Sequence, residues 1–174
     1  LSDITLANGT ASAFATVSAT EYTALITPMA DGQVTIDVNA SVTQDLATNP
    51  NIAATQFTID YDGTNPMVVI TTDAIDPTNT EFTATFTFDE DVTGFDLSDI
   101  TLANGTASAF NATSATVYTA TITPTTDGNV TIDVAADVAQ DTATNGNAAA
   151  TQYSVLYDIT DPTLAITSNA ANPV

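Results

Sequence analysis

The sequence repeats itself over a domain-sized length. Shifting the 174-residue chain by 96 positions aligns residues 1–78 with residues 97–174 without a gap, and 50 of the 78 aligned pairs are identical. The first fourteen residues, LSDITLANGTASAF, recur unchanged from Leu97 to Phe110. Repeats of this length are whole structural units, so the sequence predicts a tandem array of similar domains.

Within the repeat, apolar and polar residues alternate with period two. This is the pattern of a β-strand with one face in a core, and no stretch shows a helical period. Phe82, Ala84, Phe86 and Phe88 share one parity, and threonines separate them on the other. The same parity predicts further inward positions: Val68, Ile70, Ile100, Leu102, Tyr118, Ala120, Ile122, Val130, Ile132, Val134, Tyr153, Val155 and Tyr157.

Turn residues separate the alternating runs. Asn104-Gly105 and Asp127-Gly128 tolerate positive φ, and prolines interrupt the ladders between runs. Seven short strands in one repeat are typical of an all-β, Ig-like β-sandwich. The predicted strands span residues 66–72, 81–88, 97–103, 107–112, 116–123, 129–135 and 150–157.

Three stretches carry a specific resemblance: FTATFTFDEDVTGFDLSDITLANGTAS, VYTATITPTTDGNVTIDVAADVAQDTATNGN and TQYSVLYDITDPT. They resemble the bacterial Ig-like domains that occur in tandem in large repetitive adhesins and RTX-type surface proteins. The resemblance implies tandem Ig-like β-sandwiches in a secreted stalk, often with calcium at the domain junctions. It implies no particular ligand.

The repeat register predicts where one unit ends and the next begins. Residues 1–62 are expected to form the C-terminal part of one Ig-like repeat, 63–158 a complete repeat, and 159–174 the first strand of a further repeat. A unit without its first two strands should expose apolar inner faces and open ladder edges. One hypothesis is that the strand Pro162–Ser168 of another copy completes such a unit.

The charge is entirely one-sided. The chain carries 21 Asp and Glu residues, no Lys, Arg or His, and no Cys. Nucleic acids and anionic membrane surfaces are therefore poor partners, because both are bound through Lys and Arg. Thiolate metal sites and disulfides are excluded, and no apolar run is long enough to cross a membrane.

Several acids should gather where one repeat meets the next. In an Ig array the segment that joins two units lies at the same end of the sandwich as the loop after the second strand. Calcium takes six to eight oxygen ligands and would neutralise such carboxylates, whereas a solvated acidic surface is the alternative. The predicted calcium ligands are Asp60, Asp62, Asp89, Glu90, Asp91, Asp96, Asp158 and Asp161.

A second acidic loop runs from Asp137 to Asp141 and on to Asn147, with Asp45 at the matching position of the first repeat. It is a second candidate for metal binding, but its Asx side chains are expected mainly to cap turns. Catalysis is not expected, since His, Cys and Lys are absent. Lectin-type binding is a weaker alternative, because the aromatic residues fall on the inward parity.

Taken together, these features predict a spacer module of a bacterial cell-surface adhesin, located outside the cell and stiffened by calcium. Its expected partners are neighbouring Ig-like repeats, other copies of itself, and a distal receptor that the sequence does not identify. The alternative is a self-assembling extracellular filament or surface-layer subunit that exchanges strands between copies.

Overall fold

The structure is a computed structural model that describes residues 1–169. The chain divides into two compact units. The first unit comprises Leu1–Asn65 together with Ala143–Asn145, and the second comprises Pro66–Thr142 and the residues from Gly146 onward. The two are described separately below.

Strands dominate both units. The first unit contains β1 (Ile4–Ala7), β2 (Gly9–Thr16), β3 (Tyr22–Pro28), β4 (Gly32–Val38) and β5 (Phe57–Tyr61). The second contains β6 (Val68–Thr72), β7 (Phe82–Phe88), β8 (Ile100–Ala103), β9 (Gly105–Ala112), β10 (Val117–Pro124), β11 (Gly128–Val134) and β12 (Tyr153–Tyr157). All seven predicted strands of the complete repeat are therefore confirmed, with boundaries shifted by a few residues.

The second unit is built from two antiparallel sheets. One has the strand order β6-β7-β10-β9, and the other has the order β12-β11-β8. In the first sheet Phe86 lies opposite Tyr118 and Ala84 lies opposite Ala120. All four of these side chains are buried, so this face of the sheet lines the core. The predicted Ig-like β-sandwich is confirmed.

The core of the second unit follows the predicted parity. The four inward residues of β7 are at most 5% exposed, and Val130, Ile132 and Val134 of β11 are at most 2% exposed. Leu102, Tyr153 and Tyr157 are partly buried and pack against the same cluster. Burying side chains of this size stabilises the unit by about 1.5–3 kcal/mol each.

Three core residues come from loops that the alternation did not identify: Val92, Phe95 and Ala139. Phe95 packs against Phe88 and Tyr118 with ring centroids 5.3 and 5.2 Å away. The predicted strand at 97–103 also differs, because Leu97–Asp99 form a 3-10 turn before β8 begins. Loop packing has no sequence period, which is why the pattern missed these positions.

The first unit has a three-stranded sheet, β1-β4-β5, and a two-stranded sheet, β2-β3. Its strands follow the same registers as their counterparts 96 residues later. Yet Val34 is the only apolar residue of this unit, within the described part of the chain, that is buried. The expected exposure of its apolar inner faces is confirmed.

Matched positions show the reason for this exposure. Tyr22 is 54% exposed, whereas its counterpart Tyr118 is 6% exposed. Tyr118 is covered by Phe88 and Phe95, and its strand β10 pairs with both β7 and β9, whereas β3 pairs with β2. The sequence around Tyr22 therefore specifies the strand, while burial depends on the strand that would lie beside it.

Residues 162–168, predicted as a strand, are not part of a strand in the structure. Their counterpart β6 pairs only with β7, and a strand without a ladder partner leaves its backbone groups to water. Leu164 and Ile166 are about nine-tenths exposed. The rest of the predicted segment, residues 170–174, lies outside the described residues, and the assignment of 159–174 to a further repeat stays a prediction.

Candidate metal-binding site

The acids that follow β7 are positioned by the backbone around them. Asp89 is exposed, and its Oδ1 accepts a hydrogen bond from the Met67 N–H at 2.8 Å. Asp91 is exposed and Glu90 is half-buried. Asp89 thus has a structural role at the start of β6, and of the three successive acids only Glu90 is half-buried.

Asp96 begins the 3-10 turn as its N-cap. Its Oδ1 accepts hydrogen bonds from the Ser98 N–H at 2.7 Å and the Ser98 hydroxyl at 2.6 Å, and the Asp96 N–H donates to Asp99 Oδ2 at 2.8 Å. The hydroxyl bond and then the N–H bond lower the pKa of Asp96. This reciprocal arrangement is a capping box, and it accounts for Asp96 without a metal ion.

Within the second unit, Glu90 lies close to Asp141, which is not among the eight predicted calcium ligands. Carboxylate oxygens of Glu90 and Asp141 lie within 4.8 Å of each other, and Asp141 is only 3% exposed. Two carboxylates about 5 Å apart repel by about 3 kcal/mol at an effective dielectric constant near 20. A divalent cation between them would convert this repulsion into attraction.

The loop after β11 brings Asp141 to this position. Thr93 and Gln140 form an antiparallel bridge, with the Thr93 N–H donating to Gln140 O at 2.8 Å and the Gln140 N–H donating to Thr93 O at 3.0 Å. The residue after Gln140 is therefore held beside the segment that carries Glu90. Nothing in the local pattern of the sequence indicates this bridge, since the two segments lie far apart in the chain.

The rest of the second acidic loop has the structural role predicted for it. The buried Asn147 side chain accepts the N–H groups of Val138 and Ala139 at 2.9 and 2.8 Å. In the first unit Asp45 accepts the N–H groups of Ala47 and Asn49 at 2.8 and 2.9 Å. Side-chain capping of turns is confirmed at these positions.

The remaining predicted ligands lie on or after the last strand of each repeat. Asp60 is exposed in β5 opposite Gln33, and Asp62 follows that strand. Asp158 and Asp161 are exposed in the segment after β12. Among residues 1–169, six predicted ligands belong to no close group of three or more acids: Asp60, Asp89, Asp91, Asp96, Asp158 and Asp161.

The aromatic side chains of the second unit belong to its core rather than to a binding surface. Phe82, Phe86, Phe88 and Tyr118 are buried. The stacked, partly exposed pair Phe14–Tyr22 of the first unit has ring centroids 5.8 Å apart, and so does the matching pair Phe110–Tyr118. The ring pair packs against the core only in the second unit, where the inward parity assigned to the aromatic residues is confirmed.

No helix within residues 1–169 combines the length and apolar character needed to cross a membrane.

Comparison with known families supports the architecture. The family model described as "Bacterial Ig-like domain" matches residues 1–61 and again residues 62–157. No curated protein and no solved structure gives a significant match. Bacterial Ig-like domains usually occur in surface proteins and are typically non-enzymatic. With two matches that together span most of its length, the chain belongs to the bacterial Ig-like domain family.

Proposed function

We propose that this chain is a spacer module of a bacterial cell-surface adhesin, and that calcium bound by junction acids stiffens the array. The observation that carries the spacer role is the repetition itself. Two copies share 50 of 78 aligned residues and the same strand registers, and near-identical neighbours serve length rather than a unique binding surface.

The calcium part of the proposal is supported by charge. The chain has no cationic side chain, so no intramolecular salt bridge between side chains can offset its 21 acids. Carboxylate oxygens of Glu90 and the buried Asp141 lie within 4.8 Å of each other, and a divalent cation that takes oxygen ligands would offset the repulsion between two carboxylates this close. Asp141 thus joins the predicted ligands as a candidate.

Calcium titration of the whole chain tests the proposal. Extracellular modules bind calcium with Kd near 10⁻⁴–10⁻³ M, so 10 mM calcium should stabilise the folded chain by about 1.4–2.7 kcal/mol. Isothermal calorimetry measures the binding, and melting with calcium or with EGTA measures the stabilisation. Equal melting temperatures in calcium and EGTA would remove the metal from the proposal.

A matched pair of variants locates the binding. Asp141→Asn removes a buried carboxylate, whereas Asp45→Asn changes the same position of the first repeat, where the side chain is exposed. We expect D141N to lose at least one calcium from the isotherm and D45N to bind like the parent. Loss of the same site in both variants would contradict the assignment to Asp141.

Sedimentation and glycan binding separate the alternatives. In the order β6-β7-β10-β9, the strand next to β10 is β7, so a β6-type strand such as Pro162–Ser168 cannot by itself occupy the open edge of β3. Simple strand exchange through that segment is therefore disfavoured. A concentration-dependent polymer in sedimentation would favour the filament, and a saturable signal on a glycan array would favour a lectin.

A further inference from the structure

An aspartate in the turn before the penultimate strand of each repeat contacts the segment that follows the last strand. Asp31 lies between β3 and β4. Its Oδ1 accepts a hydrogen bond from the Gly63 N–H at 2.7 Å, and its Oδ2 accepts one from the Thr64 hydroxyl. Each carboxylate oxygen thus holds a different group of the connecting segment.

The second repeat contains the same arrangement. Asp127 lies between β10 and β11, and its Oδ1 accepts the Ile159 N–H at 2.8 Å. Its Oδ2 accepts a hydrogen bond from the Thr160 hydroxyl. The aspartate and the threonine are identical in the two repeats, whereas the residue between strand end and threonine changes from Gly63 to Ile159. The change is tolerated because that residue contributes only its backbone N–H.

In each repeat a second aspartate binds the same threonine through its backbone N–H. Asp62 Oδ1 accepts the Thr64 N–H at 3.1 Å, and Asp158 Oδ1 accepts the Thr160 N–H at 2.9 Å. Each threonine therefore has both its N–H and its hydroxyl bound to carboxylates of its own repeat. The glycine after each turn aspartate has a positive φ, +117° at Gly32 and +131° at Gly128, a conformation that favours glycine over other residues.

The arrangement does not depend on the surrounding core. The first unit leaves most of its apolar residues exposed, while the second has a closed core, and yet both hold the segment through the same atoms. In both repeats strand pairing places the aspartate beside the segment, because the glycine that follows it lies opposite Tyr61 in the first unit and opposite Tyr157 in the second. The pKa values of Asp31 and Asp127 are lowered, first by the threonine hydroxyl and then by the backbone N–H, so both carboxylates stay ionised at neutral pH.

We propose that Asp31 and Asp127 are carboxylate clamps that set the direction in which the chain leaves each repeat, without any metal ion. The biological meaning of the clamp rests on the proposed spacer role, because a spacer needs a defined exit direction. The hydrogen bonds of the clamp lie within one repeat, so they can be tested independently of the spacer role. An aspartate suits the position because both oxygens accept hydrogen bonds, whereas asparagine offers only one acceptor oxygen.

NMR on the whole chain in EGTA tests the clamp without calcium. In the parent, the amides of Gly63 and Ile159 should be protected from hydrogen exchange, and order parameters at residues 159–161 should be near the ~0.85 of rigid backbone. Asp127→Ala should lower protection at Ile159 by roughly tenfold and bring these order parameters below about 0.6. Asp31→Ala should do the same at Gly63, with Ile159 unchanged.

Threonine variants separate the hydroxyl from general disturbance of the turn. Thr160→Val keeps the shape but removes the hydroxyl, so it should loosen the segment, while Thr160→Ser should restore parent behaviour. Asp133→Ala is the control, since Asp133 binds the Gln152 side chain of the same unit at 2.8–3.0 Å and does not hold the segment. Protection of Val130 in β11 reports whether the unit itself stays folded.

The outcomes are distinguishable from those of the calcium experiment. Unprotected Ile159 in the parent, or parent-like order parameters in D127A and T160V, would overturn the clamp even if calcium stiffens the chain. Rigid segments in EGTA that loosen only in the clamp variants would support it even if calcium does not bind.

Discussion

Asn147 shows how one side chain can organise a loop of the second unit. It is fully buried, and its amide makes four hydrogen bonds: Oδ1 accepts from Val138 and Ala139, and Nδ2 donates to Ala135 O at 2.9 Å and Ala148 O at 2.8 Å. The donor and acceptor capacity of the amide is therefore fully used. Because this loop also carries Asp141, the fold of the candidate site depends on Asn147.

Asn147→Ala should lower the free energy of unfolding of the second unit by about 2–3 kcal/mol, since several buried backbone groups lose their partners. The control is Asn51→Ala, because Asn51 makes the same set of hydrogen bonds in the first unit but is only half-buried. There water can replace the amide, and the loss should stay below about 1 kcal/mol. Native-state hydrogen exchange at Val130 and Val34 measures the two units separately, and equal losses would contradict the burial argument.

At the scale of elements, β3 and β10 differ in what lies beside them. Six consecutive residues of β10, Val117–Ile122, pair with β7, and this pairing buries Tyr118, Ala120 and Ile122. β3 has nearly the same sequence but pairs only with β2. Strands of nearly the same sequence can therefore be core in one unit and surface in the other.

Placing the sequence of residues 63–96 directly before Leu1 should close the first unit. The β7-type strand is expected to pair with β3 and the β6-type strand with the β7-type strand, as in the second unit. Together they should cover Tyr22 and Ile59, each large side chain gaining about 1.5–3 kcal/mol from burial. Exchange protection at Val34 should rise, and binding of the dye ANS should fall. The control extension carries Ser in place of Phe86 and Phe88, and an equal gain with both extensions would show that register-specific packing is not responsible.

At the scale of the whole molecule, a formal net charge of −21 without any side-chain cation makes electrostatics repulsive throughout. Such self-repulsion destabilises compact states, and it is screened by salt. The local carboxylate bonds of Asp31, Asp96 and Asp127 are directed at N–H and O–H donors rather than at cations. These carboxylates therefore have hydrogen-bond donors, but their negative charges are not neutralised.

Raising NaCl from 10 mM to 0.5 M in EGTA should increase the melting temperature, because the screening length falls from about 30 Å to a few ångströms. For a chain of 174 residues, each kcal/mol of relieved repulsion should raise the melting temperature by about 2–4 °C. Differential scanning calorimetry measures the shift. A lower melting temperature at high salt would mean that attractive ionic contacts dominate, contrary to the composition.

The strands and most of the core were predictable, and the candidate site was predictable only in part. Successive side chains of a strand point to opposite faces, so parity alone placed every second residue inward, from Phe82 to Phe88 and from Val130 to Val134. Phe95 and Asp141 were not identified as buried, because both lie in loops where burial depends on distant segments. Glu90 was among the predicted ligands, but its approach to Asp141 follows from the Thr93–Gln140 bridge.

The sequence by itself determined the repeat, the strand pattern, the inward parity and the absence of cationic side chains, because periodicity and composition are local properties of the chain. Only the tertiary structure decided which of two equivalent side chains is buried, as Tyr22 and Tyr118 show, and which carboxylates meet donors or other acids. Burial and carboxylate contacts depend on the neighbouring strand or loop, and such neighbours come from positions far away in the sequence.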